Sequence, residues 1–581
     1  MRRFNPFILS TVSLAAIVAT PAYAQEGQVK ADQAPPQTMT SEQEAESGTD
    51  AQAATPTAAP AGEAITVTGS RIRRPNLESP LPVTSVGGQE FFQTGNVSVG
   101  DKLAELPSIR GTFTQANSTR FLGTAGLNLL DLRGLGTVRT LVLQNGRRHV
   151  GGDVLSSGVT PDVNTIPTDL IERVDVTTGA NSAVYGSDAI AGVVNFILKQ
   201  DYEGIQLRGQ GGQSKYGDAG SYFVSALAGR NFAGGRGNIA ANVEWAKTNQ
   251  YFGSSRPHLA SQDGFLVVDS DPADVRGTPQ LENADSSPDR LFFRDIRSAS
   301  LTNTGVLRFG GTTAANSCGT DPLGGFYPCV FIFNPDGTLI PATGNRVAVT
   351  PGSFIGGNSE NFRTGRQFQL SPDLERINVN VLGHFEIAPA FVPFFEAKYS
   401  RTDTSGTGSS GPAFTQGATF GDPAQPAFGG TYRNREQIRL DNPFLTAQAR
   451  SVICAQRALS GQTCTNATAV SLRENLLGLG ARTEDARRET YRIVGGIRGD
   501  FLDDWNYELS VNYGKLKENT KILGNLDVQR YLLANDAAIN PATGTISAVL
   551  SSIRRPASAT STSVTKPRAP ASSRISRLAF R

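Results

Sequence analysis

Beyond residue 203 this chain repeats one pattern, runs of about ten residues in which apolar and polar side chains alternate. Ile205, Leu207, Gly209 and Gly211 interleave with Gln206, Arg208 and Gln210, and Ile239, Ala241, Val243 and Trp245 with Asn238, Asn242 and Glu244. The same holds for Ile377, Val379, Val381, Phe385 and Ile387, for Phe391 to Tyr399, and for Trp505, Tyr507, Leu509, Val511 and Tyr513. A period of two gives a strand with one chemistry on each face. Aromatics fall near the run ends, as with Trp245, Tyr399, Tyr491, Phe501 and Trp505. Short turns join some runs, while Gly/Asn/Asp/Pro-rich segments over ~251–375 and ~402–490 join others. A secreted β-sandwich shares the alternation. The polar second face, the unequal connections and an export signal favour a membrane barrel, the closed sheet that satisfies every backbone group in lipid.

That export signal is residues 1–24. Arg2 and Arg3 precede an apolar run from Phe7 to Ala19, and Ala22-Tyr23-Ala24 supplies the cleavage pattern. The run is too short to span a bilayer as a helix. Residues 25–63 are rich in Ala, Pro, Gln, Thr and Glu and poor in large apolar side chains, which predicts a disordered tether. A β-prone segment follows at 64–72, with Ile65, Thr66, Val67, Thr68 and Gly69 at its centre. Such a segment can add to the open edge of a partner's sheet.

Residues 73–202 read as a small α/β domain. The expected elements are a strand at Pro82–Val86, a short helix at Gly100–Pro107 and a strand at Val138–Gln144 entering an Asn145-Gly146 turn. A helical piece at Pro167–Ile171, a strand at Ile171–Val176 and a last buried strand ending near Ile197 complete it. The charges nearly cancel, 54 Lys+Arg against 52 Asp+Glu, which leaves no basic footprint for nucleic acid. Cys318/Cys329 and Cys454/Cys464 form two close pairs. In an exported chain these read as disulfides rather than zinc ligands, since no CxxC clip or nearby His accompanies them. No phosphate loop, HExxH pair or other metal-ligand spacing is present, so neither an enzyme nor a cofactor is expected.

Three stretches carry a resemblance: 65–72, then Asn128–Gly136 with Val142–Arg148, and above all Ile171-Glu172-Arg173-Val174-Asp175-Val176 followed by Gly179-Ala180 and Tyr185–Asn195. Together they resemble the TonB-dependent outer-membrane receptors of Gram-negative bacteria. The resemblance implies a mainly β fold, with an N-terminal α/β plug domain inside an antiparallel transmembrane β-barrel of 22 strands. It further implies that 64–72 is a TonB box, and that TonB, driven from the inner membrane, opens a path for a bulky, scarce ligand. A siderophore, cobalamin or an oligosaccharide is the expected class of ligand, and outer-membrane lipid the expected surroundings. The alternative is a non-transporting ligand-binding or adhesion protein on the same scaffold.

Substrate contacts are then expected on plug loops ~112–127 and ~147–160, from Arg120, Phe121, Arg148 and His149. The barrel is expected over 203–546 and to be incomplete. From about Ser547 the alternation gives way to a basic Ser/Pro tail, residues 547–581, that suits no lipid-facing strand. That change predicts a truncated chain with an out-of-frame tail, unable to insert or transport unaided.

Overall fold

The structure, a computed structural model, describes residues 82–546 apart from several internal stretches, the longest being 269–289 and 415–436, together with two short strands further on. The predicted signal peptide, tether and 64–72 segment, and most of the tail, lie outside the described residues.

Residues 82–198 build a five-stranded sheet in the order Val83–Gly87, Ile171–Thr178, Gly192–Leu198, Thr140–Gln144, Arg147–Arg148. Val142 pairs in parallel with Val194, and Val194 pairs antiparallel with Val176, so three apolar runs lie side by side at the centre. These strands are buried on both faces, which explains why they read as continuous apolar runs. Asn145 (φ 50°) and Gly146 (φ 73°) make the expected two-residue turn, which needs positive φ at both positions. The Gly100–Pro107 helix is shorter than expected, at Val99–Leu103, with the Ser98 hydroxyl capping Asp101 N. The helix expected at Pro167–Ile171 does not form. A 3₁₀ turn occupies Val163–Thr165, and Thr168 N donates instead to Glu244, across the boundary with the next region.

Seven long strands follow in one antiparallel wall, each hydrogen-bonded to the next: Gly204–Gly212, Ser221–Phe232, Gly237–Thr248, Asp373–Phe385, Val392–Ser409, Arg482–Phe501 and Trp505–Leu523. Among the described residues the two flanks of the wall do not meet. The last strand pairs onward only with the two-residue strands Ser563–Val564 and Arg574–Ile575. The outer face is apolar and open, with Ile205 79% and Leu207 77% exposed alongside Val224, Ile239, Val243, Ile493 and Val511. Aromatics bound this band. Tyr399 and Tyr491 lie 5.1 Å apart on one side, and Phe501 and Trp505 lie 6.0 Å apart on the other. The ten steps from Tyr491 to Phe501 span ~33 Å of strand, or ~25 Å of height at the ~40° tilt usual for such strands.

Several wall strands run further than alternation suggests. Val392–Ser409 extends through Thr402, Thr404 and Gly406, and Arg482–Phe501 opens with charges on both faces. Above an apolar band both faces of a strand meet polar surroundings, so the sequence period disappears while the hydrogen-bond ladder continues.

The turns 233–236, 386–391 and 502–504 are short and share one end of the wall, and the long connections share the other. The connections between 249–372 and 410–481 fold together into a lobe. Its sheet runs Leu339–Pro341, Cys329–Phe333, Val306–Phe309, Ala469–Asn475, and Leu307 of the first connection pairs with Leu472 of the second. The helix Ala447–Leu459, capped by Thr446, buries Ala449 and Ile453 against that sheet. Disulfides join Cys318 to Cys329 and Cys454 to Cys464.

Candidate functional site

The first domain meets the inner face of the wall along a seam of charged and polar side chains. Period two places Arg208, Ser225, Glu244, Arg376, Asn378, Glu396, Lys398, Arg488, Arg492, Ser510 and Asn512 on that face, opposite the apolar band. Near the start of the wall, Arg208 pairs with Asp169 at 2.9 Å and its guanidinium lies 4.1 Å over the rings of both Phe92 and Phe223. Ser225 donates to the same carboxylate.

Glu244 and Arg376, on adjacent wall strands, form a buried pair at 3.0 Å. Each also reaches into the first domain. Glu244 accepts from Thr168 N at 2.9 Å, while Arg376 donates to Asn164 Oδ1 at 3.3 Å and to Val97 O. A buried charge is tolerable only when paired and hydrogen-bonded in this way.

Further round, Glu396 collects donors from Arg492 (2.7 Å), Asn145 (2.8 Å), Arg147 (3.1 Å) and Gln144 (3.2 Å). Arg147 also reaches Glu508 at 2.7 Å. Lys398 donates to Gln144 Oε1 at 2.5 Å and approaches His149 Nε2 at 3.1 Å. Burial, with the Lys398 and Arg492 cations nearby, holds the His149 imidazole well below its ordinary value. Its neutral ring donates from Nδ1 to Val150 O at 3.0 Å and leaves Nε2 to accept.

At the long-connection end, the loop 115–126 of the first domain touches the wall. Gln115 donates to Thr248 Oγ1 at 2.7 Å, and Gly123 N donates to Glu484 at 2.6 Å. Arg488 donates to Ala125 O at 2.6 Å and to Gly123 O at 3.1 Å. Gly126 (φ 75°) allows the close approach, because a Cβ there would lie 2.7 Å from Thr404 Cβ.

Of the predicted substrate residues, the three that are described lie in different places along the chain's first domain. Arg120 belongs to the 3₁₀ turn Ser118–Arg120 in the loop at the long-connection end, whereas Phe121 is outside the described residues. Arg148 lies nearer the short turns, where it pairs with Asp188 and donates to Tyr185 O at 2.8 Å, while its own carbonyl accepts from Asn512. His149 is buried against Lys398. The loop after residue 147 therefore turns along the wall, carried there by the Asn145-Gly146 turn and held by Arg147.

Sequence reasoning noted the polar second face but assigned it no role, and the partners of Glu244, Glu396 and Arg488 were invisible. The available signal was charge: Arg and Glu at alternate positions of strands whose other face is apolar demand buried partners.

A small α/β domain gripped by the polar inner face of an antiparallel wall with an apolar outer face defines a plugged, barrel-type wall. Residues 75–193 match the family described as TonB-dependent Receptor Plug Domain, which identifies that segment as a plug domain. Among solved structures the chain is similar to the ferric enterobactin receptor PfeA from Pseudomonas aeruginosa, at 14% identity over 76% of this chain and 50% of that one, with a TM-score of 0.31. The siderophore receptor PirA from Acinetobacter baumannii matches at 13% identity over 76% and 48%, with a TM-score of 0.29. The siderophore receptor PiuA from Acinetobacter baumannii matches at 13% identity over 87% and 53%, with a TM-score of 0.32. The chain spans about half the length of these structures.

Proposed function

We propose that this chain belongs to an active importer of the Gram-negative outer membrane, energised by TonB, for a bulky ligand of the siderophore, cobalamin or oligosaccharide class. The observation that carries this reading is the plug held inside a wall whose outward face is a bounded apolar band. Lipid supports that band, and the polar seam suits a plug that must shift without exposing hydrocarbon.

The long connections and the 115–126 loop face outward in this reading, and the short turns face the periplasm. Ligand arrives among the lobe, Arg120 and the residues beside it. Arg148 and His149 act in holding the plug. The segment Ile65–Gly69 is the handle that adds as a strand to TonB, since no energy source exists at the outer membrane itself.

Deleting residues 64–72 is expected to abolish energy-dependent uptake while leaving ligand capture at the cell surface intact. Uptake that survives the deletion overturns the reading, and uptake and capture lost together point to a folding defect, which detergent-solubilised thermal unfolding separates.

A further inference from the structure

One face of the lobe sheet carries two arginines, Arg308 and Arg473. Arg308 lies between Val330 on one neighbouring strand and the strand bearing Arg473, whose partner across the ladder is Val306. Val306, Arg308, Val330, Ile332 and Arg473 thus share a face, opposite the one that packs on the helix Ala447–Leu459. Arg346 joins them from the connection that follows.

The Arg346 guanidinium sits 5.0 Å from the ring centre of Tyr327 and 4.5 Å from that of Phe354. One of its nitrogens donates to Pro328 O at 2.8 Å. Tyr327 is buried and anchored by its hydroxyl on Ala348 O at 2.6 Å. Among the described residues, neither Arg346 nor Arg308 pairs with a carboxylate, although every charged side chain of the plug seam quoted above has an acceptor or an opposite charge beside it. Burial and the Arg308 cation push Arg346 down to about 10, which still leaves it charged at neutral pH.

Arg346 and its two flanking rings, Tyr327 and Phe354, border a cavity of about 310 Å³, lined also by the Cys318–Cys329 bridge, Thr320 and Asn345. That volume lies at the small end of the range for organic ligands. Half-buried cations without counter-charges are costly, and a fixed guanidinium between two rings offers its remaining N–H groups as a fork for an oxyanion. Thr320 and Asn345 add neutral polar groups on the cavity wall.

We propose that this cavity is an anion-binding site for a compact carboxylate or phosphate group, with Arg346 as its direct contact and Arg308 supplying positive potential. The site stands on the lobe alone and does not depend on the transport reading.

The test is calorimetric titration of the whole chain in detergent with succinate and with inorganic phosphate. Wild-type protein is expected to bind at least one of them at a single site, more weakly as salt rises. Arg346→Gln is expected to weaken binding at least tenfold and Arg308→Gln about threefold, the latter keeping the ring stack intact. Arg297→Gln, which removes a cation paired with Asp295 in the same lobe, should leave binding unchanged. Preference for succinate marks a carboxylate-bearing ligand, and preference for phosphate a phosphorylated one. If neither anion binds, or if Arg346→Gln and Arg308→Gln bind as tightly as wild type, the assignment is overturned.

Discussion

The plug seam and the loop lobe solve one problem, holding distant segments together, with opposite chemistry. The seam joins plug to wall through Glu244–Arg376, Glu396–Arg492–Arg147 and Arg488 on the carbonyls of Gly123 and Ala125. Its apolar contacts are Leu227, Ala240 and Leu382 beside the plug core and a small cluster of Val97 with Phe223 and Ala246. The lobe joins its two connections through hydrocarbon, with Leu307, Phe331, Leu339, Leu445, Ile453 and Leu472 in one cluster and a disulfide on each side. Directional polar contacts can be exchanged for others or for water when a body slides. A packed apolar core gives no such intermediate. The seam is thus built of exchangeable contacts and the lobe of a fixed apolar core.

The largest expected effect strikes the seam. Glu244→Ala leaves Arg376 buried and uncompensated and should cost about 3–5 kcal/mol, read by chemical unfolding in detergent. The paired change Glu244→Leu with Arg376→Met should recover most of that loss. If the single change is as harmless as the double, charge is not what holds the seam.

Ile453→Ala, fully buried between helix and sheet in the lobe, should cost about 2–5 kcal/mol locally. Limited proteolysis should then cut the lobe sooner while the plug stays protected. Simultaneous loosening of plug and lobe would erase the contrast between them.

A pH effect sharpens the seam side. Burial raises the Asp162 carboxyl to about 6, against the pull of its hydrogen bonds from Asn164 N and Asn128 N. The folded state therefore holds this proton more tightly than the unfolded chain. Stability falls as pH rises from about 4 to about 6, and the full cost of about 3 kcal/mol persists above that window. Asp162→Asn keeps an acceptor oxygen but removes the charge, so this slope should vanish from unfolding measured between pH 4 and 7. An unaltered slope would place the titration elsewhere.

The smallest effect belongs to the lobe. Replacing Cys454 and Cys464 by Ser opens a short loop and should cost about 2–3 kcal/mol on the chain-entropy estimate. Protease susceptibility confined to the region 447–464 is the expected readout, with the seam unaffected.

Much of the wall was legible because an apolar outer face and a polar face toward the plug impose opposite chemistry on alternate residues. The strands around Val243, Val379 and Val511 follow that rule closely. Ser221–Phe232 and Arg482–Phe501 escaped notice as whole strands, the first because Ala and Gly blur its contrast, the second because charges crowd both faces. In the candidate site, Arg147, Arg148 and His149 looked alike as basic residues on one loop. Only the fold distributes them between Glu396, Asp188 and Lys398.

Local chemistry, repeated at a fixed period, was enough to define strands, turns and the apolar band, because each depends on neighbours one or two residues away. The assignment of each inward charge to its partner, and the union of two loops into one lobe through strands more than a hundred residues apart, came from tertiary structure alone. Those pairings depend on which strands the backbone ladder brings side by side, and no periodicity along the chain encodes that choice.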